Sequence, residues 1–328
     1  MFARKIGAYN NMQLFEYENN AVMVQKMSAL WSYGGTIMVW VYMTIFATIM
    51  QTWRNSLQSG LSKTINVTGV TLARFLWAGP VAALYLLSLY LWQPQPLPVM
   101  TNSFILLILA ASATQIFATG LLVVLFKQNN FAIGAGLAKS EAIIAAIIGV
   151  IFMGTQLPLL GWAGVLLGSV AVFYMSHRKG SGRLSLSTLL LGLACGSSFA
   201  LTSLAIRAAS LSLDLPFLHR AAWVLLLVIS TQTLVLLAYL AIKDRDTLKA
   251  LWQKPKLVIM TSVTSCFGSI GWFTAMSLQT VPYVKTLGQV EVFFTLLFST
   301  YYLKVKVTRK DTVSLLLIAV AAILVMMS

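Results

Sequence analysis

Two carboxylates at matched places in apolar sequence are the residues best suited to chemistry. Glu141 and Glu291 each lie well inside a long apolar run. An ionised carboxylate is costly in hydrocarbon, so each must be paired with a cation, hydrated or protonated. Two roles stay open for them: reversible uptake of a proton, or a fixed ion pair with Lys139, Lys285 or an arginine.

Arg54 is the most informative of the basic residues in the apolar runs. Gln51, Asn55 and Gln58 follow the i, i+4, i+7 spacing of one helix face and surround it with amides. A guanidinium at such depth costs at least about 2.5–3.5 kcal/mol unless it meets water or a partner. Arg54 therefore either faces a watery cavity or, if its helix begins near Thr36, reaches the membrane surface.

The composition requires a membrane protein. Of the 328 residues, 59% are hydrophobic and only 9% are charged, against about 25% in soluble chains. Apolar runs of about twenty residues recur, each long enough to cross a bilayer as a helix. The breaks between them predict ten spans, at about 38–62, 68–92, 103–126, 131–153, 159–176, 185–208, 217–242, 257–278, 283–303 and 311–327.

Several classes of protein are excluded. The net charge of +15 arises mainly in short connectors, where retention on one side of the membrane explains it, so we expect no nucleic-acid partner. The sequence contains no nucleotide-binding loop, metal-ligand spacing or Ser-His-Asp set, so we expect neither an enzyme nor a cofactor or metal. The Gly164–Gly168 spacing favours packing within the chain and leaves a homodimer as the alternative.

The ten spans divide into five and five. The span boundaries in residues 113–176 match those in 263–326 without a gap at a shift of 150, which places Glu141 on Glu291, while only eight of these 64 positions are identical. Because five is odd, the second set crosses the membrane in the opposite sense. Inverted repeats of this kind are typical of transporters that bind substrate near mid-membrane. We therefore predict an all-α polytopic membrane protein with two inverted five-helix repeats: a polar N-terminal tail at 1–35, the first repeat at 36–176, a basic linker at 177–184 and the second repeat at 185–328.

Three segments resemble the drug/metabolite transporter superfamily, in particular its EamA-type ten-helix members. They are Arg54-Asn55-Ser56-Leu57-Gln58, Leu72-Ala73-Arg74-Phe75-Leu76 and Gly161-Trp162-Ala163-Gly164-Val165-Leu166-Leu167-Gly168, and the resemblance covers about residues 43–327. It implies that spans 1, 3, 4, 6, 8 and 9 line a central cavity and that spans 5 and 10 pack outside. Members often bend span 4 at a proline, which is missing from Ala138-Lys139-Ser140-Glu141 here.

The charged residues and the resemblance together predict a secondary active transporter that works by alternating access. Six basic residues in the spans (Arg54, Arg74, Lys139, Arg207, Arg220 and Lys285) outnumber the two carboxylates. This excess favours an organic anion or zwitterion such as an amino acid, with proton coupling left open. The alternative is a proton-coupled exporter of organic cations or drugs. The candidate substrate-binding residues are Arg54, Asn55, Gln58, Lys139, Glu141, Arg207, Trp272, Lys285 and Glu291, and Glu141 and Glu291 are the candidate proton-coupling residues.

The connectors predict the orientation. Odd-numbered connectors contain fourteen lysines and arginines, whereas even-numbered connectors contain none. The positive-inside rule therefore places the odd connectors in the cytoplasm and both termini outside, in the bacterial inner membrane. The resemblance implies the reverse orientation, and we follow the charges.

Overall fold

A computed structural model describes residues 39–127, 138–176, 186–303 and 308–328, which form helices joined by short connectors, with no strand in these ranges. The predicted tail at 1–35 and linker at 177–184 lie outside them. Within the described ranges, five spans are long and apolar enough to cross a membrane: Val67–Trp92, Asn102–Lys127, Leu186–Leu211, Phe217–Lys243 and Pro255–Leu278. Shorter apolar helices accompany them. The prediction of an all-α polytopic membrane protein is confirmed.

Helices lie at all ten predicted spans, although the start of span 4 is outside the described ranges. The first half comprises α1 (39–62), α2 (Val67–Phe75) and α3 (Ala78–Trp92) as one bent span, α4 (Asn102–Lys127), α5 (Glu141–Met153) and α6 (Leu159–Ser176). The second half comprises α7 (Leu186–Leu211), α8 (Phe217–Lys243), the connector helix α9 (Arg245–Trp252), α10 (Pro255–Leu278), α11 (Val281–Leu287), α12 (Glu291–Leu303) and α13 (Arg309–Met326).

Polar residues in the connectors fix several helix ends. The Asn66 side chain accepts a hydrogen bond from a backbone N–H in the first turn of α2, and Asp244 does the same for α9. The Asn66 amide also donates to an Asp244 carboxylate oxygen over 2.7 Å, which joins the two halves at this surface. Hydrogen bonds from Thr247 and Asn66 hold the pKa of Asp244 below its usual range.

Spans that correspond in the two halves pack against each other. Helix α3 contacts α8, α5 contacts α11, and α6 contacts α13. At Gly164 in α6, an added Cβ atom would lie 2.7 Å from Cγ2 of Val325 and 2.9 Å from the carbonyl oxygen of Ala321 in α13. The glycine thus permits close packing of spans 5 and 10 within the chain.

Spans 4 and 9 are both interrupted at matched positions. In span 9, α11 ends at Leu287, residues Gly288–Val290 form a 3₁₀ turn, and α12 begins at Glu291. In span 4, residues 139–140 form a turn and α5 begins at Glu141. The interruption in span 4 therefore occurs without a proline. Each glutamate begins a new helix, where the helix dipole stabilises a negative charge.

Candidate functional site

A cavity of about 700 Å³ lies between the two halves, and we call it the chamber. Its lining comes mainly from α1, α4, α7, α10 and the interrupted spans 4 and 9, which are the six spans that the family resemblance implies. Arg74 from α2, Val172 from α6 and Asp311 from α13 complete the lining. The volume is typical of a site for a small molecule.

The chamber extends toward one end of the molecule. Lys63, Phe126, Phe298 and Asp311 belong to its lining and lie close to odd-numbered connectors. No residue of an even-numbered connector lines it within the described part of the chain. The chamber therefore faces the side of the odd-numbered connectors, which contain the basic residues.

Two ion pairs cross between spans 4 and 9 beside the chamber. Lys139 of span 4 pairs with Glu291 of span 9, and Lys285 of span 9 pairs with Glu141 of span 4, with 2.7 Å between Nζ and Oε1. Lys139 and Glu141 do not pair with each other, as their separation of two residues predicts. Of the two roles left open for the glutamates, ion pairing is the one present in this conformation.

Polar side chains of α1 hold Glu291 further. Its carboxylate accepts hydrogen bonds from Nε2 of Gln51 at 2.5 Å and from Nδ2 of Asn55 at 2.9 Å. Glu141 accepts one from the hydroxyl of Ser203 in α7 at 2.9 Å. With their lysines, both carboxylates meet the requirement that a buried charge be paired and hydrogen-bonded.

Arg54 lines the chamber with only 2% of its surface exposed. Its Nε and Nη2 donate to Oδ1 of Asn55 at 3.3 and 2.9 Å, and the Asn55 amide donates in turn to Glu291. Nη1 makes no hydrogen bond to any residue in the described ranges. This burial favours the interpretation of Arg54 as a cavity residue over the interfacial alternative.

Arg74 is a second guanidinium in the chamber lining, and it is 3% exposed. Nε donates to Oγ of Ser265 in α10 at 3.2 Å, and Nη1 donates to Oγ1 of Thr119 in α4 at 2.8 Å. Sequence reasoning counted Arg74 among the charged residues of the spans but did not select it. Its repetition as Arg220 in the second half was the available signal.

Trp272 of α10 forms an aromatic wall beside the ion pairs. The Lys285 ammonium lies 4.3 Å from its ring centroid, and the indole N–H donates to Oε1 of Gln51 at 2.9 Å. The edge of the ring lies so close to Gly288 that a Cβ atom there would overlap it. Trp272 therefore contacts both Gln51 of α1 and the 3₁₀ turn that interrupts span 9.

Seven of the nine predicted site residues line the chamber: Arg54, Asn55, Lys139, Glu141, Trp272, Lys285 and Glu291. Gln58 and Arg207 do not. Gln58 is fully buried, and neither polar atom of its amide has a partner among the described residues. Arg207 donates from Nη1 to the carbonyl oxygens of Met276 at 2.7 Å and Gln279 at 2.5 Å, which caps the C-terminal end of α10. Gln51, Ser203 and Arg74 are lining residues that the prediction missed.

Comparisons with known proteins agree with the fold and the predicted resemblance. Residues 186–327 match the profile of the EamA-like transporter family, which belongs to the drug/metabolite transporter superfamily. No curated protein matches the sequence. One solved chain, titled only as a crystal structure of a protein, aligns with a TM-score of 0.63 and 14% identity over 86% of this chain and 96% of its own length. That likeness shows a shared fold and nothing about the substrate.

Proposed function

We propose that this chain, whose second half matches the EamA-like transporter family, is a secondary active transporter of a small organic anion or zwitterion. The observation that best supports the proposal is the burial of Arg54 in a chamber between the halves, without a carboxylate within 4 Å among the described residues. A buried cation of this kind destabilises the protein unless a ligand supplies the opposite charge. Planar guanidinium groups bind carboxylates through two parallel hydrogen bonds, so Arg54 is the proposed substrate anchor.

Alternating access has candidate moving parts in spans 4 and 9. Both helices are interrupted beside the chamber, as in other transporters whose half-helices surround the binding site. In this conformation the chamber faces the odd-numbered connectors, which we assign to the cytoplasm on the strength of their positive charge. On the opposite side, Arg207 and Arg220 donate to backbone carbonyls at the C-terminal end of α10 and hold that end closed.

Proton coupling is part of the proposal and would depend on the crossed ion pairs. When spans 4 and 9 rearrange, Glu141 and Glu291 separate from their lysines. A buried carboxylate without a cation partner is costly as an anion, so in the proposed cycle each glutamate then takes up a proton. The alternative function, export of organic cations, requires a carboxylate that is free to bind the cation, and both carboxylates already have a lysine partner.

Metabolite profiling of cells that lack or overproduce the protein tests the proposed function. We expect the ratio of intracellular to extracellular concentration to change for a small polar anion or zwitterion. Arg54→Gln at equal membrane abundance should restore the ratio found without the protein. An unchanged ratio for every metabolite measured, or an unaffected Arg54→Gln variant, would contradict the proposal.

A further inference from the structure

The charges around the chamber do not balance. Lys139 and Lys285 each have a glutamate partner, whereas neither Arg54 nor Arg74 has a carboxylate within 4 Å in the described ranges. Lys63 lies exposed at the mouth of the chamber, and Asp311 is engaged in the capping box of α13. Two positive charges in the lining of the chamber, Arg54 and Arg74, therefore have no carboxylate in direct contact among the described residues.

Neutral side chains hold both Arg54 and Arg74 in place. Arg54 is hydrogen-bonded to the Asn55 side chain, and Arg74 is hydrogen-bonded to the hydroxyls of Ser265 and Thr119. These acceptors satisfy N–H groups but supply no negative charge. Nη1 of Arg54 and Nη2 of Arg74 make no hydrogen bond to any described residue, so each arginine retains donors for a ligand.

The two guanidinium groups share one chamber. Both line it, and both are almost fully buried. Repulsion between like charges is stronger for side chains that are this little exposed to water, and it adds to the cost of leaving each charge without a carboxylate in contact. A ligand with one negative charge would neutralise only one of the two guanidinium groups. A ligand with two negative charges would neutralise both.

We propose that the substrate of this transporter carries two negative charges, and that Arg74 is the residue that selects for the second one. Small dicarboxylates and phosphate monoesters share this chemistry. A zwitterion fits less well, because the carboxylates that would bind its ammonium group are neutralised by Lys139 and Lys285. The inference rests on the proposed transport function and narrows its substrate class.

The second half of the chain provides a matched control. Arg220 opens span 7 as Arg74 opens span 2, and each is followed by a tryptophan three residues later, at Trp223 and Trp77. Arg220 donates from Nε to the hydroxyl of Ser277 at 2.9 Å and from Nη2 to the Ser277 carbonyl oxygen at 2.5 Å, and it does not line the chamber. Arg220→Gln therefore removes an equivalent charge outside the site.

Proteoliposomes containing the purified full chain test the proposal against many candidate substrates at once. The vesicles are incubated at pH 7.5 with the water-soluble metabolites of a cell extract, and their contents are compared by mass spectrometry with those of protein-free vesicles. We expect the accumulated compounds to be dianions. Arg74→Gln should lower their accumulation at least about tenfold and leave that of monoanions within about twofold. Arg220→Gln should keep the wild-type preference for dianions over monoanions, and Arg74→Lys should retain most of it.

Three results would overturn the inference. One is accumulation of monoanions, zwitterions or cations as the main compounds by the wild-type protein, a result that does not depend on whether Arg74→Gln folds. Another is an equal loss of all anions in Arg74→Gln, as expected for a purely structural arginine. If the wild-type vesicles accumulate nothing, the proposed transport function fails and the inference fails with it.

A change of pH distinguishes the two sources of the double charge. A phosphate monoester loses its second charge near pH 6, whereas a dicarboxylate keeps both charges down to about pH 5. For a phosphate monoester, lowering the pH from 7.5 to 5.5 should therefore reduce the advantage of the wild-type protein over Arg74→Gln several-fold. For a dicarboxylate, that advantage should stay within about twofold. An advantage that grows on acidification would contradict both assignments.

Discussion

Each half contains one arginine in its first span and one in its second span, and the two halves use them differently. In the first half, Arg54 of span 1 and Arg74 of span 2 enter the chamber. In the second half, Arg207 of span 6 and Arg220 of span 7 donate to backbone carbonyls at the C-terminal end of α10. One pair of arginines therefore lines the chamber, and the other pair holds the opposite end of the molecule.

The ion pairs show the same combination of symmetry and difference. The matched residues Glu141 and Glu291 each begin a helix after an interruption of their span. Their lysine partners are not matched, because Lys139 corresponds to Gln289 and Lys285 lies six residues before Glu291. The two acids therefore hold matching positions in their spans, and the lysines that neutralise them do not.

Removal of Arg54 should produce the largest effect on transport. Arg54→Gln leaves no guanidinium from span 1 in the chamber, and we expect at least about a hundredfold loss of substrate uptake into proteoliposomes. Arg207, the arginine in the first span of the second half, lies outside the chamber, so Arg207→Gln should retain measurable uptake with an unchanged substrate preference. Uptake by Arg54→Gln above half the wild-type rate would contradict the claim that the first-half arginines bind the substrate.

The crossed pairing predicts rescue by exchange of charges. Lys139→Glu and Glu291→Lys should each abolish most uptake, because each leaves like charges in contact in a buried site, a change worth about 3–5 kcal/mol. The double variant restores opposite charges and should recover part of the uptake. Combining Lys139→Glu with Glu141→Lys is the control, because these neighbours do not pair in the structure. Equal recovery in both double variants would refute specific crossed pairing.

Release of the second-half arginines should open the even-connector side. In Arg207→Gln/Arg220→Gln, the C-terminal end of α10 loses four hydrogen bonds from two cations. We expect a cysteine introduced at Thr280 to react with a membrane-impermeant thiol reagent severalfold faster in this double variant. The control variant Arg54→Gln/Arg74→Gln should leave the reaction rate of this cysteine unchanged. Equal acceleration in both double variants would indicate a general loss of packing and would contradict a specific role for Arg207 and Arg220.

The smallest predicted effect concerns packing alone. Gly164 permits close contact between α6 and α13, and its match in the second half is the small, buried Ser314. Gly164→Val should therefore destabilise the protein by about 1–3 kcal/mol, measured as a lower Tm in detergent, without changing substrate preference. Gly79 has no atom within 4 Å of a Cβ position, so Gly79→Ala should not lower the Tm. Equal shifts in the two variants would argue against this contact.

Sequence reasoning located the spans and the acidic pair because both depend on local properties. Apolar runs and charge clusters place helix ends within a few residues, and a carboxylate in an apolar run must be compensated wherever the helix packs. The interruption at residues 139–140 left no such trace, because neither proline nor a glycine marks it. It faces Gly196 of α7, where an added Cβ atom would overlap Oγ of Ser140, and only the folded arrangement places these two residues together.

The choice among the arginines could not be made from the sequence for the same reason. Arg54 and Arg207 each lie in an apolar helix with small or polar neighbours, and local composition does not separate them. Their roles depend on whether a chamber or the end of α10 lies opposite, which is a property of tertiary packing. Arg74 lies near the start of its span, where an arginine usually reaches the membrane surface, so its position in the sequence does not mark it as a chamber residue.

Thiol accessibility of the chamber lining tests the central claim most directly. In a Cys195→Ala/Cys266→Ala background, cysteines are introduced at Ser59 and Ser269, which line the chamber, and at the fully buried Ser314 outside it. We predict that a membrane-impermeant thiol reagent modifies the first two from the side of the odd-numbered connectors and leaves the third unmodified. Protection of both chamber cysteines, or equal modification of all three, would contradict a water-filled chamber between the halves.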